Sequence, residues 1–139
     1  MNKYIKKPGS ENVYTPTREL LKIIIPGRPV PKGRPRFGRN GQVYTPKKTR
    51  EYEELVGWYA KQCMTEPLEG NVMLHIKTYV KNNVFPDLDN IAKAIMDGLN
   101  GVAYRDDRQV VCLSVQRIKG REERVEIELE EADADATRS

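Results

Sequence analysis

From Val72 to Val80 the chain alternates Val72, Leu74, Ile76, Thr78 and Val80 with His75 and Lys77, a period of two. Within twenty residues the period lengthens: Ile91, Ile95 and Leu99 recur at helical spacing. A period of two is a strand with one buried face, and a period near 3.6 is a helix with one buried stripe. A chain that switches between them this sharply cannot be all-helical or all-sheet. The same reading elsewhere predicts a strand at Leu20–Pro26, a helix from Thr45 (N-cap) and Pro46 to near Met64, and strands at Val110–Gln116 and Val125–Leu129. The turn Lys119-Gly120-Arg121 joins the last two, and Asn100-Gly101 closes the second helix, which runs from about Asn90 to Leu99. The expected fold is one α/β (α+β) domain, a small mixed sheet of about four strands with two main helices.

At 139 residues the chain holds one such domain with a hydrophobic core. Residues 1–18 are polar and aperiodic and read as a flexible arm; 19–131 form the domain, and 132–139 an acidic tail. No apolar run approaches the roughly 18 residues of a membrane helix, and MNKYIKKPGS lacks the apolar centre of a signal peptide. The expectation is a cytoplasmic protein with no membrane partner, with Cys63 and Cys112 as reduced core residues. A single histidine, His75, argues against zinc chemistry and a Ser-His-Asp triad; it reads as a strand-surface residue.

Charge is unevenly spread. Leu21–Arg50 contains nine Lys or Arg and no Asp or Glu, whereas Glu122–Asp135 contains eight acids and one Arg. A basic block of this kind suits a polyanionic partner, above all nucleic acid, although a solvated charged face accounts for it equally well. Within it, GRPVPKGRPRFGRNG carries three prolines and four glycines, which exclude regular structure. As a basic loop it offers Arg28, Lys32, Arg34 and Arg36, joined by Lys47, Lys48 and Arg50, to hold a DNA backbone.

Two carboxylates flank a leucine in Phe85-Pro86-Asp87-Leu88-Asp89-Asn90. In an extended segment Asp87 and Asp89 point to one side, where like charges repel unless a cation lies between them. Mg²⁺, held by one or two carboxylates plus phosphate oxygens, is a natural occupant. Helix capping is the simpler account of these residues alone: Asp89 as N-cap, Asp87 near the positive end of the dipole. Further along, Asp89, Lys93 and Asp97 fall on one polar stripe of the helix, and Asp106-Asp107 precede a strand.

Together, DLDN at 87–90, Lys93, Asp97 and Asp106-Asp107-Arg108-Gln109-Val110-Val111 resemble the RusA-type Holliday-junction resolvases. GRPVPKGRPRF and VYTPKKTREYE resemble one branch of the same family, so the likeness spans roughly 20–130. The resemblance implies a Mg²⁺-dependent homodimer, Mn²⁺ substituting, that resolves four-way DNA junctions in recombination and repair by paired nicks. It implies Asp87, Asp89 and Asp107 as catalytic metal-binding carboxylates and Lys93 as the catalytic lysine. Asp97 and Asp106 match acidic positions without an assigned role. Two other readings stand beside it: a non-catalytic basic DNA-binding protein, and a nuclease for flaps or other branched DNA.

Overall fold

The computed structural model describes residues 20–133 and the backbone of residues 15–16. Its elements are β1 (Thr15–Pro16), β2 (Leu21–Pro26), β3 (Arg36–Phe37), β4 (Val43–Tyr44), α1 (Lys47–Cys63), β5 (Asn71–Val80), α2 (Leu88–Leu99), β6 (Val110–Lys119) and β7 (Arg124–Asp133). The alternation in β5 is a burial pattern, as its sequence requires: Val72, Leu74, Ile76, Thr78 and Val80 are buried. β5 lies between β6, which runs parallel to it, and β7, which runs antiparallel. The other edge of β7 takes both β2 and the two-residue β1. This is the expected α+β domain, with a mixed sheet and two helices.

Parallel pairing of β5 and β6 requires a crossover, and α2 is that crossover. Its Ile91, Ile95 and Leu99 are buried against the sheet, and full burial of each such side chain contributes about 1.5–3 kcal/mol. α1 packs beside α2 through two glycines. A Cβ on Gly98 would stand 2.7 Å from the Val56 Cβ and 2.8 Å from the Glu53 carbonyl oxygen, so only glycine permits this approach. The segment after Lys119 carries the chain across the end of β5 to β7, with the Gly120 N–H donating to the Val80 carbonyl.

Several boundaries differ from the sequence expectation. The basic loop does contain regular structure: Arg36 and Phe37 pair antiparallel with Tyr44 and Val43. Strands of two residues are too short to carry a period, and glycines are what their turn needs. α1 starts after Pro46, which is itself the N-cap in place of Thr45. α2 opens at Leu88, with Asp87 as its N-cap in place of Asp89. β7 continues to Asp133, so Ala132 and Asp133 extend the sheet, while residues 134–139 lie outside the described residues. Residues 1–14 and 17–18 of the expected arm lie outside them too; Thr15 and Pro16 pair with β7. Both cysteines are free, but Cys63 is exposed in the last turn of α1, where Lys61, Gln62 and Cys63 all face outward. His75 is half-buried on the helix-free face of the sheet, its Nδ1 2.7 Å from Ser114 Oγ. Among the described residues no helix is long and apolar enough to cross a membrane.

Candidate active site and nucleic-acid interface

The approach to α2 is shaped by Arg28. Its guanidinium pairs with Glu123 at 2.8 Å, donates to the Asn82 side chain at 3.3 Å and also to the Val84 carbonyl. Glu123 in turn accepts the Lys81 N–H. Phe85 is half-buried, with the Arg117 guanidinium 5.4 Å from its ring centre. These contacts fix the segment that delivers Asp87. Asp87 has extended backbone angles (φ −60°, ψ 131°) and caps α2 without a side-chain hydrogen bond. Its carboxylate is therefore not spent on the helix. Asp89 sits in the first turn, accepts the Asn90 N–H at 3.0 Å, and is exposed. Leu88 is already helical, so the period-two argument that put both carboxylates on one strand face ends at Asp87. Lys93 is exposed one turn further along.

The second acidic group is built around Gln109. Its Oε1 accepts the N–H groups of Arg105 (2.8 Å) and Asp106 (3.0 Å), and its Nε2 donates to the carbonyls of Leu68 and Gly70. Asp106 caps the short 3-10 turn Asp107–Gln109 by accepting the Arg108 N–H at 2.9 Å. That N–H is the main reason the Asp106 carboxyl lies below its ordinary pKa; burial works against it, and the neighbouring Asp107 carboxyl and Arg108 add to it. With Asp106 engaged in the cap, Asp107 is the exposed carboxylate of the pair. Beneath them Tyr104 is fully buried and donates from its hydroxyl to the Met96 carbonyl. Its phenol is pushed above the ordinary tyrosine range, chiefly by burial and then by the charges of Asp107, Asp97 and Asp106.

The two acidic groups stand at opposite ends of α2. Asp87 and Asp89 lie where β5 ends, next to residues 82–84; Asp106 and Asp107 lie where β6 starts, beside Leu68 and Gly70. The 12 residues of α2 between them span about 18 Å at 1.5 Å per residue. Among the described residues, no three His, Cys, Asp or Glu side chains are gathered closely enough to hold a metal ion. A single protomer thus does not fit the three-carboxylate metal site that the sequence suggests.

The basic residues also divide. Arg34, Arg36, Lys47 and Lys48 are exposed; Arg50 is exposed too, with its Nε on the Thr45 carbonyl. Arg28 and Lys32 are half-buried and engaged in ion pairs, Arg28 with Glu123 and Lys32 between the two helices. Lys32 pairs with Glu53 of α1 at 2.7 Å and with Asp97 of α2 at 2.9 Å, and its side chain is only 18% exposed. Burial alone would lower its pKa, but hydrogen bonds and charge from Glu53 and Asp97 outweigh it and the ammonium is held above its ordinary value. Lys32 is a clamp between the helices. Lys32→Met keeps the stem and removes the charge, leaving Glu53 and Asp97 facing each other. It is expected to destabilise the fold by about 1–3 kcal/mol, read as a lower midpoint in urea. An unchanged midpoint would return Lys32 to the set of free surface cations.

Sequence reasoning missed Glu123, Tyr104 and the supporting role of Gln109, because each acts through partners far along the chain. The only local signal was Gln109 three residues after Asp106, the spacing of a capping box.

Residues 26–130 match the family model described as endodeoxyribonuclease RusA. The chain is also 31% identical over 141 residues to a Bacillus subtilis (strain 168) protein named uncharacterized protein YqaN, an alignment covering 84% of this chain and 99% of that one. The family match takes in β2's last residue, both helices, both acidic groups and most of β7. This chain belongs to the RusA endodeoxyribonuclease family.

Proposed function

We propose that the protein is a Mg²⁺-dependent endonuclease that resolves four-way DNA junctions by paired nicks, as a symmetric homodimer. The observation that carries this reading, beyond the family itself, is the division of the acidic residues between the two ends of α2. In an isologous two-fold pair, whatever one protomer's surface i meets on the partner's surface j is met again in reverse. If the Asp87–Asp89 end of one protomer faces the Asp107 end of its partner, the halves combine twice. Two sites related by a two-fold axis suit a junction whose paired cuts are symmetric.

Asp87, Asp89 and the partner subunit's Asp107 would hold the cation, which when bound supplies positive charge at the phosphate and a water of lowered pKa. This chain's own residues do the rest. Gln109 and the Asp106 cap fix the turn that presents Asp107, and Arg28 with Glu123 fixes the entry to Asp87. Lys93, exposed on the same helix as Asp89, would stabilise charge on the scissile phosphate or its leaving oxygen. Arg34, Arg36, Lys47, Lys48 and Arg50 hold phosphates without reading base edges.

The test is incubation with a labelled four-way junction and a matched linear duplex, with and without Mg²⁺. Metal-dependent paired nicks in the junction alone are expected. Cutting of flaps but not junctions would move the substrate to other branched DNA, and binding without cutting would make the protein a DNA-binding module. Within this reading, Lys93→Ala should lose on the order of 10²-fold in cleavage rate. As a mere surface residue it would cost at most about half a kcal/mol of stability and nothing in rate. A folded variant cutting at the parental rate would remove Lys93 from the chemistry.

A further inference from the structure

We propose that the β3–β4 hairpin is a binding site for unpaired nucleobases, with Phe37 as the residue that stacks on them. The proposal rests on the branched-DNA reading above and adds to it the element that meets open bases.

Phe37 is 76% exposed, the highest value among the large apolar side chains of the described residues, and Val43 follows it on the hairpin at 60%. The register makes Phe37 and Val43 direct partners, so they share one face of the ribbon; Arg36 and Tyr44 share the other. Neither face is covered, for Arg36, Phe37, Val43 and Tyr44 are all exposed. The ribbon is nonetheless shaped: Gly38 N–H donates to the Gln42 carbonyl at 2.7 Å, Gly41 N–H to the Gly38 carbonyl at 3.0 Å, and Gly41 takes φ +79°. A defined hairpin that shows apolar side chains on one face and an arginine with a tyrosine on the other is built to bury them on something else.

Charge decides what. Leu21–Arg50 has nine cations and no acid, and Arg34, Arg36 and Arg39 flank Phe37 in the sequence and are exposed. An aromatic ring amid unopposed arginines suits a strand of nucleic acid, whose phosphates meet the guanidinium groups while a base face meets the ring. In a continuous duplex the base faces are hidden by stacking. At a branch point they can open.

Position points the same way. Lys32 N–H donates to the Asn90 carbonyl at 2.9 Å and Gly33 N–H to Thr49 Oγ1 at 3.0 Å, so the hairpin leaves the body beside the Asp87–Asp89 end of α2. Phe37 is five residues beyond Lys32 and hence at most about 18 Å from that anchor, about five base steps along a strand.

The experiment compares the parent with Phe37→Ala, Phe37→Leu and Phe37→Trp for affinity toward a four-way junction, a linear duplex and a single-stranded oligonucleotide at fixed salt. Phe37→Ala and Phe37→Leu should each weaken junction and single-strand binding about 10-fold and leave duplex binding unchanged. Phe37→Trp should bind as the parent does. In a Trp58→Phe background its emission should be quenched by the junction and the single strand, and not by the duplex. Parental affinity of Phe37→Ala for all three DNAs overturns the proposal. So does equal loss on all three, or full rescue by Leu, which would make the ring only apolar bulk. A parent protein with no preference for the junction over duplex would sink the branched-DNA reading instead, and the single-strand comparison would still decide the role of Phe37.

Discussion

Asp87→Asn, Asp89→Asn and Asp107→Asn are each expected to fold, to bind a four-way junction as the parent does, and to lose at least about 10³-fold in cleavage in Mg²⁺, the scale on which one member of a catalytic set is missed. Asn keeps the shape of Asp and removes the charge a cation requires. The structure also separates this result from a folding defect. Asp87 makes no side-chain bond to the helix it caps, and Asn is as good an N-cap, so Asp87→Asn should leave α2 intact. Asp89 accepts the neighbouring Asn90 N–H, a bond an amide oxygen can also accept, and loses only a few tenths of a kcal/mol of favourable dipole interaction. Asp107 sits beside the residue that actually caps the 3-10 turn, and Asp106 remains in place. Thermal melts near the parent's together with absent nicking would fit a metal-binding role for each. Full cleavage by Asp89→Asn would reduce FPDLDN to a helix start.

Much of the scaffold behind that experiment was legible from side-chain period. β5 and α2 each bury one face, so Val72–Val80 and Ile91–Leu99 carry their structure in spacing alone. The hairpin was not legible, because two-residue strands have no period and the prolines and glycines around them read as loop. Nor was the fate of Lys32. It belongs to the basic run, but its partners are Glu53, 21 residues away, and Asp97 on another helix, and no local pattern announces either. The start of α2 lies two residues before the position its sequence suggests, for a definite reason. Sequence rules expect the capping residue to use its side chain, and Asp87 caps with backbone geometry only. That shift matters for the site. With Leu88 helical, the strand-like spacing that would bring Asp87 and Asp89 to one face is absent. What takes its place follows from the topology: a helix joining two parallel strands starts at one end of the sheet and must deliver the next strand at the other. Carboxylates before α2 and after it are thereby kept apart within one chain.

That separation yields a result no single variant can give. Asp89→Asn and Asp107→Asn, each inactive alone, should regain nicking when their protomers are mixed and allowed to exchange. In a mixed dimer one composite site joins the altered Asp89 half to the altered Asp107 half and is lost. The other joins an intact Asp87–Asp89 pair to an intact Asp107 and works. Roughly half of the dimers in an equal, freely exchanging mixture are mixed, so nicking should return to a substantial fraction of the parental rate. Each junction should receive one nick per binding event, because only one of the two sites is whole. Asp87→Asn mixed with Asp89→Asn supplies the control. Both changes fall in the same half, every composite site contains one of them, and no activity should return. Silence from the Asp89→Asn and Asp107→Asn mixture, with exchange verified by differently tagged protomers, would show that the acidic groups do not meet across a dimer. The two ends of α2 would then need some other means of acting on one phosphate, such as a rearrangement of the 104–109 turn.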